Sequence, residues 1–220
     1  MSRFEGRDLV CVRGERVVFA GLTFALASGD ALLLVGPNGS GKSTLLRLMA
    51  GLLRPAAGSI LWQGAPITAD PGSHNRRLHY VGHLDAVKPA LTVRENLSFW
   101  ASFNGSSRTE DAISGALRHF AIEHLSDIPA RLLSAGQRRR LSLSRLLAVK
   151  APLWLLDEPT VALDRASIAA LAEAVRQHRE NGGMAVIATH AAIEMEAAIT
   201  LELSGSAGMR TDEIWVEVAG

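Results

Sequence analysis

The sequence predicts an α/β fold with a mostly parallel core sheet, and two observations carry this prediction. Short apolar runs alternate with longer stretches whose apolar residues fall at helical spacing, as in proteins whose parallel strands are joined by crossover helices. Three of the runs, 31–35, 153–156 and 184–188, are apolar without interruption. Strands buried on both faces have this composition, so we expect these three at the centre of the sheet.

The N-terminal segment predicts a separate antiparallel part. Its apolar stretches are short and are separated by the polar turn 13–16 and by Gly21. Polar turns and glycine between short apolar stretches favour hairpins of short strands. The expected strands are 9–12, 17–19 and 22–26, with two more at 59–62 and 78–81.

Residues 93–149 predict a helical lobe inserted into this sheet-forming core. No strand-like run occurs there, and apolar residues recur three or four positions apart. The polar piece 104–107 separates two of the expected helices. We therefore predict a single domain, 1–220, whose core comprises 1–92 and 150–220.

The composition argues against several classes of protein. Twenty-three Lys and Arg against 22 Asp and Glu give a net charge of +1, so no overall positive charge favours nucleic acid as a partner. Cys11 is the only cysteine, which excludes an internal disulfide and a zinc site of paired cysteines. The first ten residues lack the apolar core of a signal peptide, and no apolar run reaches the ~18 residues of a membrane span. We expect an intracellular protein that meets a membrane only through partners.

Residues 36–43, GPNGSGKS, match the phosphate-loop pattern G-x-x-x-x-G-K-[ST] between an expected strand and an expected helix, 43–49. Glycines there let successive backbone N–H groups and the helix N-terminus point at one anion. Lys42 would place a positive charge on the outer phosphates, and Ser43 would offer a hydroxyl to Mg²⁺. The alternative is a glycine-rich turn before a helix. The expected nucleotide-binding residues are Gly36, Pro37, Asn38, Gly39, Ser40, Gly41, Lys42, Ser43 and Thr44.

Two adjacent carboxylates, Asp157 and Glu158, follow the apolar run 153–156. Ligands of open α/β sheets bind at the carboxyl ends of the strands, where these two side chains are expected. Asp157 would hold Mg²⁺, and Glu158 would orient or deprotonate an attacking water. The alternative is an acidic loop after a core strand.

With these residues the chain resembles an ATP-binding cassette (ABC) ATPase over nearly its whole length. The segment 133–137, LSAGQ, is similar to the signature motif LSGGQ of that family, and 161–164, VALD, is similar to the D-loop. His190, after the third apolar run, is similar to the switch histidine. A kinase with a phosphate loop would have no use for the signature motif.

The resemblance implies a phosphate-loop NTPase fold of the ABC type that binds ATP and Mg²⁺. It also implies a homodimer in which two ATP molecules are sandwiched between two copies. Lys42, Glu158 and His190 would then act in catalysis on one nucleotide, together with Ser43 and Asp157. The nucleotide bound by the opposite copy would be contacted by Ser134, Ala135, Gly136 and Gln137.

Three positions depart from the family pattern. Arg13 stands where an aromatic residue usually stacks on adenine, and a guanidinium can also stack on a base. His83 replaces the glutamine that contacts Mg²⁺ and reports to the membrane partner, and a histidine can still contact the metal through a water molecule. Ala135 replaces the first glycine of the pair in the signature motif, and Gly136 keeps the second. The basic triplet 138–140 is interpreted as a solvated face, with bound ATP as the nearby anion.

Within the family, the chain resembles ATP-binding subunits of haem exporters that serve cytochrome c maturation in bacteria. The matching segments are 11–13, 82–83, 133–140 and 152–159. This resemblance implies a peripheral protein on the cytoplasmic face of the inner membrane, paired with integral membrane subunits of the maturation system. The alternatives are a subunit of another ABC importer or exporter and a soluble ABC ATPase of cofactor assembly.

Overall fold

The computed structural model describes residues 2–103, 110–189, 195 and 197–203. Its strands are β1 (Arg3–Arg13), β2 (Arg16–Ala27), β3 (Ala31–Val35), β4 (Ala57–Trp62), β5 (Ala65–Pro66), β6 (Leu78–Val81), β7 (Leu153–Asp157), β8 (Met184–Ala188) and β9 (Ile199–Glu202). Its α-helices are α1 (Lys42–Met49), α2 (Pro71–Arg76), α3 (Val93–Phe103), α4 (Glu110–His119), α5 (Ala135–Ala148) and α6 (Arg165–Glu180).

The core is a five-stranded parallel sheet with the order β6-β7-β8-β3-β9. The three uninterrupted apolar runs form β7, β8 and β3, so the prediction that they lie at the centre is confirmed. Every residue of β7 and β8 is buried, as strands covered on both faces must be. The edge strand β9 was not predicted, because its mostly exposed sequence ITLE lacks an apolar run.

A second, antiparallel sheet has the order β2-β1-β4-β5. The expectation of short strands here is wrong, since β1 and β2 have 11 and 12 residues. Asp8 and Gly21 have positive φ angles of 48° and 64°, and the register of the β1–β2 pair shifts beside both. Gly21, which suggests an interruption, therefore lies at a bulge within the continuous strand β2, whereas the polar segment 13–16 contains the turn between β1 and β2, as predicted.

The helices α3, α4 and α5 pack together on one face of the parallel sheet, with short 3₁₀ helices at Glu123–Leu125 and Ala130–Leu132. Their shared core includes Leu97, Leu117, Phe120 and Leu141 and extends to Trp154 of β7. The helical prediction for 93–149 is thus confirmed for the residues described; the predicted separator 104–107 lies outside them. On the other face, the antiparallel sheet and α1 enclose a second core.

The helix α2 was missed, although its start carries a readable signal. Asp70 caps it by accepting a hydrogen bond of 2.9 Å from the Ser73 backbone N–H, and Pro71 occupies the first helical position. Within 2–103, 110–189 and the short C-terminal described part, no helix is long and apolar enough to cross a membrane.

Candidate nucleotide-binding site

The loop between β3 and α1 is shaped by close backbone packing. Gly36 has a φ of 141°, and a Cβ atom there would clash with the carbonyl oxygen of Leu203. Gly41, with a φ of 103°, precedes the first turn of α1, and a Cβ atom there would lie 2.6 Å from Cγ1 of Val18. Only glycine fits either position without a shift of the backbone or of its neighbours. The loop is therefore held between the parallel sheet and the antiparallel hairpin.

Lys42 lies buried over this loop. Its Nζ donates hydrogen bonds of 2.7 and 3.0 Å to the carbonyl oxygens of Gly36 and Pro37. An ammonium group has three donors, so these two bonds fix its position and leave a third N–H for a phosphate oxygen. The N-terminus of α1 adds the positive end of the helix dipole at the same place. The loop thus combines a fixed cation with backbone donors, which is what a polyphosphate requires.

Ser43 and Asp157 meet at this site. The Ser43 hydroxyl donates a hydrogen bond of 2.9 Å to Oδ1 of Asp157, which is 3% exposed at the carboxyl end of β7. Sequence analysis predicted both as Mg²⁺ ligands, and the structure brings their oxygens together. A hydroxyl and a carboxylate supply the hard oxygen ligands that Mg²⁺ prefers, and substrate phosphates and water usually complete its octahedron.

Glu158 directly follows Asp157 and leaves the strand in a left-handed conformation, with a φ of 46°. Its backbone N–H donates a hydrogen bond of 2.8 Å to the Ala188 carbonyl oxygen at the end of β8. The neighbouring strand ends therefore fix the start of the turn that carries this carboxylate. His190, the predicted switch histidine, lies outside the described residues.

The signature segment begins α5 with a capping box. The Ser134 hydroxyl oxygen accepts a hydrogen bond from the Gln137 backbone N–H at 3.2 Å, and Gln137 Oε1 accepts one from the Ser134 N–H at 2.8 Å. Ser134 and Ala135 are exposed. The Ser134 hydroxyl hydrogen is not used by the cap, so an anion can still accept it at a positive helix end.

Gly136 contacts the turn that follows β7. A Cβ atom at this position would lie 2.8 Å from the carbonyl oxygen of Ala162, a residue that itself has a positive φ of 64°. The turn ends at Asp164, which caps α6 by accepting a hydrogen bond of 2.8 Å from Ser167 N–H. Hydrogen bonds from Ser167 lower the pKa of Asp164. The signature and D-loop segments thus pack against each other within one chain.

Arg13 and His83, two of the three positions that depart from the family pattern, are both exposed but lie on different parts of the fold. Arg13 lies exposed at the end of β1, in the hairpin whose Val18 and Phe19 contact the phosphate loop at Gly41. His83 lies exposed just after β6.

Arg139 is a residue of the site that sequence analysis missed. The expectation of a solvated face for 138–140 is wrong at this position, because Arg139 is 4% exposed. Its guanidinium donates hydrogen bonds to the carbonyl oxygens of Gly82 and Asp157, which brings the segment of His83 beside the strand end of Asp157. Nothing in a run of three arginines distinguishes the buried member.

A model of the family described as "ABC transporter" matches residues 19–161. A Rhodospirillum rubrum protein named "Cytochrome c biogenesis ATP-binding export protein CcmA" is 58% identical over 200 residues, covering 91% of this chain and 85% of its own. A protein of the same name from Paramagnetospirillum magneticum is 54% identical over 204 residues, covering 92% of this chain and 94% of its own.

Two solved structures have a similar fold. One, described as the structure of the ATP-binding subunit of an ABC transporter, has a TM-score of 0.84 at 25% identity and covers 99% of both chains. The other, a putative ABC transporter ATP-binding protein from Pyrococcus furiosus, has a TM-score of 0.80 at 27% identity, with 91% of this chain and 97% of its own covered. The predicted fold class is confirmed.

Proposed function

The chain belongs to the ABC transporter family, and from this premise we propose which residues perform its chemistry and which process that chemistry drives. It is an ATP-binding and ATP-hydrolysing subunit of an ABC transporter. The observation that carries the assignment of residues is the hydrogen bond of 2.9 Å between Ser43 and Asp157. This bond joins the phosphate loop to the strand end where a hydrolytic water would be activated.

The phosphate loop and Lys42 bind the outer phosphates of ATP. Lys42 Nζ is already fixed by two carbonyl oxygens, so little side-chain freedom is lost when a phosphate binds. Ser43 and Asp157 would hold Mg²⁺, and His83 lies on the segment that Arg139 joins to this strand end. When bound, the ion would neutralise charge on the phosphates during hydrolysis.

Glu158 is the general base in this proposal. It accepts a proton from the water that attacks the γ-phosphorus, and the bond between that phosphorus and the ADP oxygen breaks. His190, on the segment after β8, would assist this hydrolysis step. The support for Glu158 is its place next to Asp157, on a turn held by the end of β8.

The second copy of the chain would complete the site. Ser134, Ala135 and the N-terminus of α5 lie exposed, as a surface that binds a phosphate of another molecule must. We propose that ATP joins two copies in this way and that hydrolysis releases them.

The test uses Glu158→Gln, which keeps the shape of the side chain and removes the base. Hydrolysis should slow at least ~10²-fold while ATP still binds, and the trapped ATP should shift the protein from monomer to dimer in size-exclusion chromatography with Mg²⁺. Glu180→Gln, at the exposed end of α6, is the matched control and should behave as wild type. Normal hydrolysis by Glu158→Gln would contradict the assignment of the base.

The process we propose is cytochrome c biogenesis, with integral membrane subunits of that system as partners at the cytoplasmic face of the inner membrane. The support is the identity of 58% and 54% to proteins with that name across most of the chain. Leu84, next to His83, is 82% exposed, and Phe99 of α3 is 38% exposed with Lys88 Nζ 4.2 Å from its ring centroid. These apolar side chains would form part of the surface that binds a membrane subunit.

Fractionation tests this partnership. Co-expressed with the membrane subunits, the chain should sediment with the inner membrane, and Leu84→Glu should release it, because a carboxylate would be buried in the contact. The control Leu52→Glu changes a leucine that is 60% exposed after α1 and should leave sedimentation unchanged. A chain that remains in the soluble fraction with all partners present would favour a soluble ABC ATPase instead.

A further inference from the structure

The guanidinium of Arg139 has a complete set of hydrogen-bond acceptors. Nε donates to the Pro159 carbonyl oxygen at 3.2 Å. Nη1 donates to the Gly82 carbonyl oxygen at 3.0 Å and to Oδ1 of Asp85 at 3.1 Å. Nη2 donates to the carbonyl oxygens of Asp157 and Glu158 at 3.0 and 2.7 Å. A guanidinium has five N–H donors, so all five are used.

Three of these acceptors are consecutive backbone carbonyls, Asp157 to Pro159. The chain turns around the guanidinium at the residue where Glu158 has a left-handed φ of 46°. Non-glycine residues adopt this conformation only when their surroundings hold them there. The three bonds to Arg139 provide such a constraint at the backbone of Glu158.

The remaining acceptors belong to a different segment. Gly82 and Asp85 flank His83 on the chain between β6 and α3. One side chain from α5 therefore bonds the turn that carries Glu158 and the segment that carries His83. Lysine could not replace it, because an ammonium has three donors and lacks the planar geometry that reaches both segments.

We propose that Arg139 is a positioning residue for ATP hydrolysis, which fixes the backbone of Asp157 and Glu158 and ties it to the segment Gly82–Asp85. The inference rests on the proposed role of Glu158 as the base. Arg139 does not touch the nucleotide in this scheme. Its substitution should therefore affect the rate of the chemical step far more than the binding of ATP.

The electrostatic surroundings support a fixed arrangement. Burial lowers the pKa of Arg145, a further buried cation on α5; the charge of Arg139 lowers it further, and Asp85 opposes the shift. Two buried cations with a single carboxylate near them, bonded to Arg139, depend on their carbonyl acceptors, because a buried charge without partners is costly. Movement of the strand end away from Arg139 would remove those acceptors.

The first measurement is the steady-state kinetics of Arg139→Lys. A displacement of reacting groups by about 1 Å can cost on the order of 10²-fold in rate, so we expect kcat to fall about 10- to 100-fold with KM for ATP within about twofold. Arg179→Lys is the matched control, since Arg179 Nε bonds the Gly29 carbonyl oxygen at 2.9 Å on another part of the fold. It should lose stability without a change in kcat.

A double-mutant cycle with Glu158→Gln tests whether Arg139 acts through Glu158. Once the base is absent its position no longer matters, so adding Arg139→Lys to Glu158→Gln should change the residual rate less than about twofold.

Asp85→Asn provides a milder test, because the amide oxygen still accepts a hydrogen bond while the charge is lost. We expect it to lower kcat about 3- to 10-fold with KM unchanged. Should Arg139→Lys not fold, Asp85→Asn decides by the same separation of kcat and KM.

The results that would overturn the inference are distinct from those that would overturn the proposed function. Wild-type kcat in Arg139→Lys, an equal loss in kcat and in ATP affinity, or full additivity with Glu158→Gln would each exclude a positioning role. The proposed function instead fails if Glu158→Gln hydrolyses ATP normally, whatever Arg139 does. Both sets of measurements use the full chain with Mg²⁺ and ATP.

Discussion

The hydroxyl of Ser43 donates a hydrogen bond of 2.9 Å to the carboxylate of Asp157, and this contact joins segments that lie 114 positions apart in the chain. Ser43 belongs to the first turn of α1 and Asp157 is the last residue of β7. Each fixes the oxygen atom of the other before any ligand binds. Such preorganisation lowers the cost of ordering the ligands of a bound ion.

Ser43→Ala should uncouple this pair. The variant loses one proposed Mg²⁺ ligand and leaves the buried Asp157 without this hydrogen bond, which costs about 1–3 kcal/mol in stability. Hydrolysis should fall at least ~10²-fold, and the Mg²⁺ concentration for half-maximal rate should rise. Ser43→Thr, which keeps the hydroxyl, is the control. A titration of ATPase rate against Mg²⁺ that is identical for Ser43→Ala and wild type would contradict the assignment.

Arg13→Ala should weaken the binding of ATP. If the guanidinium stacks on adenine, its removal costs about 0.5–2 kcal/mol, the range of cation–π contacts, as measured by titration with a fluorescent ATP analogue. Arg16 faces Arg13 across the hairpin and is also exposed, so Arg16→Ala is a matched control. If the wild type, Arg13→Ala and Arg16→Ala bind ATP with equal affinity, stacking by Arg13 is excluded.

Ser134 allows the stability of α5 to be separated from phosphate binding. Aspartate and asparagine both cap helices well, so Ser134→Asp and Ser134→Asn should unfold within about 0.5 kcal/mol of each other. The aspartate would repel the γ-phosphate of the opposite copy, whereas the asparagine would not. ATP-dependent dimerisation should therefore be lost in Ser134→Asp and largely kept in Ser134→Asn. Equal dimerisation of the two variants would contradict a contact with phosphate.

The central strands and the phosphate loop could be predicted from the sequence because their signals are local. An uninterrupted apolar run such as 184–188 requires burial on both faces, and the spacing of Gly36, Lys42 and Ser43 requires only a strand before and a helix after. The structure contains the three central strands, and the strand β3 ends before Gly36 while the helix α1 begins at Lys42. These features do not depend on which distant segment packs beside them.

Features that depend on distant packing could not be predicted. Arg139 stands between two other arginines, so the sequence does not distinguish it. Only the fold brings Gly82, Asp157 and Glu158 around it. The strand β9 is short and mostly exposed, and it forms because it pairs with the edge of β3. Its following residue, Leu203, then sets the close contact at Gly36.

His79, which is buried, and His178, which is half-buried, should make stability depend on pH. Burial lowers the pKa of His79 to about 4, and it lowers the pKa of His178, which stacks on Trp154 at 3.9 Å, to about 4. Unfolded histidine binds its proton below about pH 6.5, whereas the folded protein keeps these rings neutral until about pH 4. The unfolded state therefore binds more protons in this window, and the free energy of unfolding falls as the pH drops from about 6.5 to 4.

Chemical denaturation at pH 7, 6 and 5 measures this effect. Each buried histidine adds up to about 1.4 kcal/mol per pH unit to the slope, so His79→Gln, which keeps a donor for the Val149 carbonyl oxygen 2.7 Å away, should lower the slope by about that amount. His124→Gln changes an exposed histidine and is the control for the general effect of substitution. A slope that His79→Gln leaves unchanged would contradict the burial of a neutral imidazole.

Lys42→Ala tests the cellular role. Lys42 is held by Gly36 and Pro37 over the phosphate loop, so its loss removes the fixed charge without disturbing the central strands, and the protein should fold but not hydrolyse ATP. In a bacterium whose only copy carries this substitution, covalent attachment of haem to c-type cytochromes should be lost, while b-type cytochromes and the export of apocytochromes continue. Haem staining of denatured membranes measures the attachment. A strain with Lys150→Ala, which changes an exposed lysine after α5 and leaves the loop intact, is the control. Normal attachment in the Lys42→Ala strain would refute cytochrome c biogenesis as the process. It would leave the assignment as an ABC ATPase in place, because ATP hydrolysis in vitro tests the catalytic residues separately.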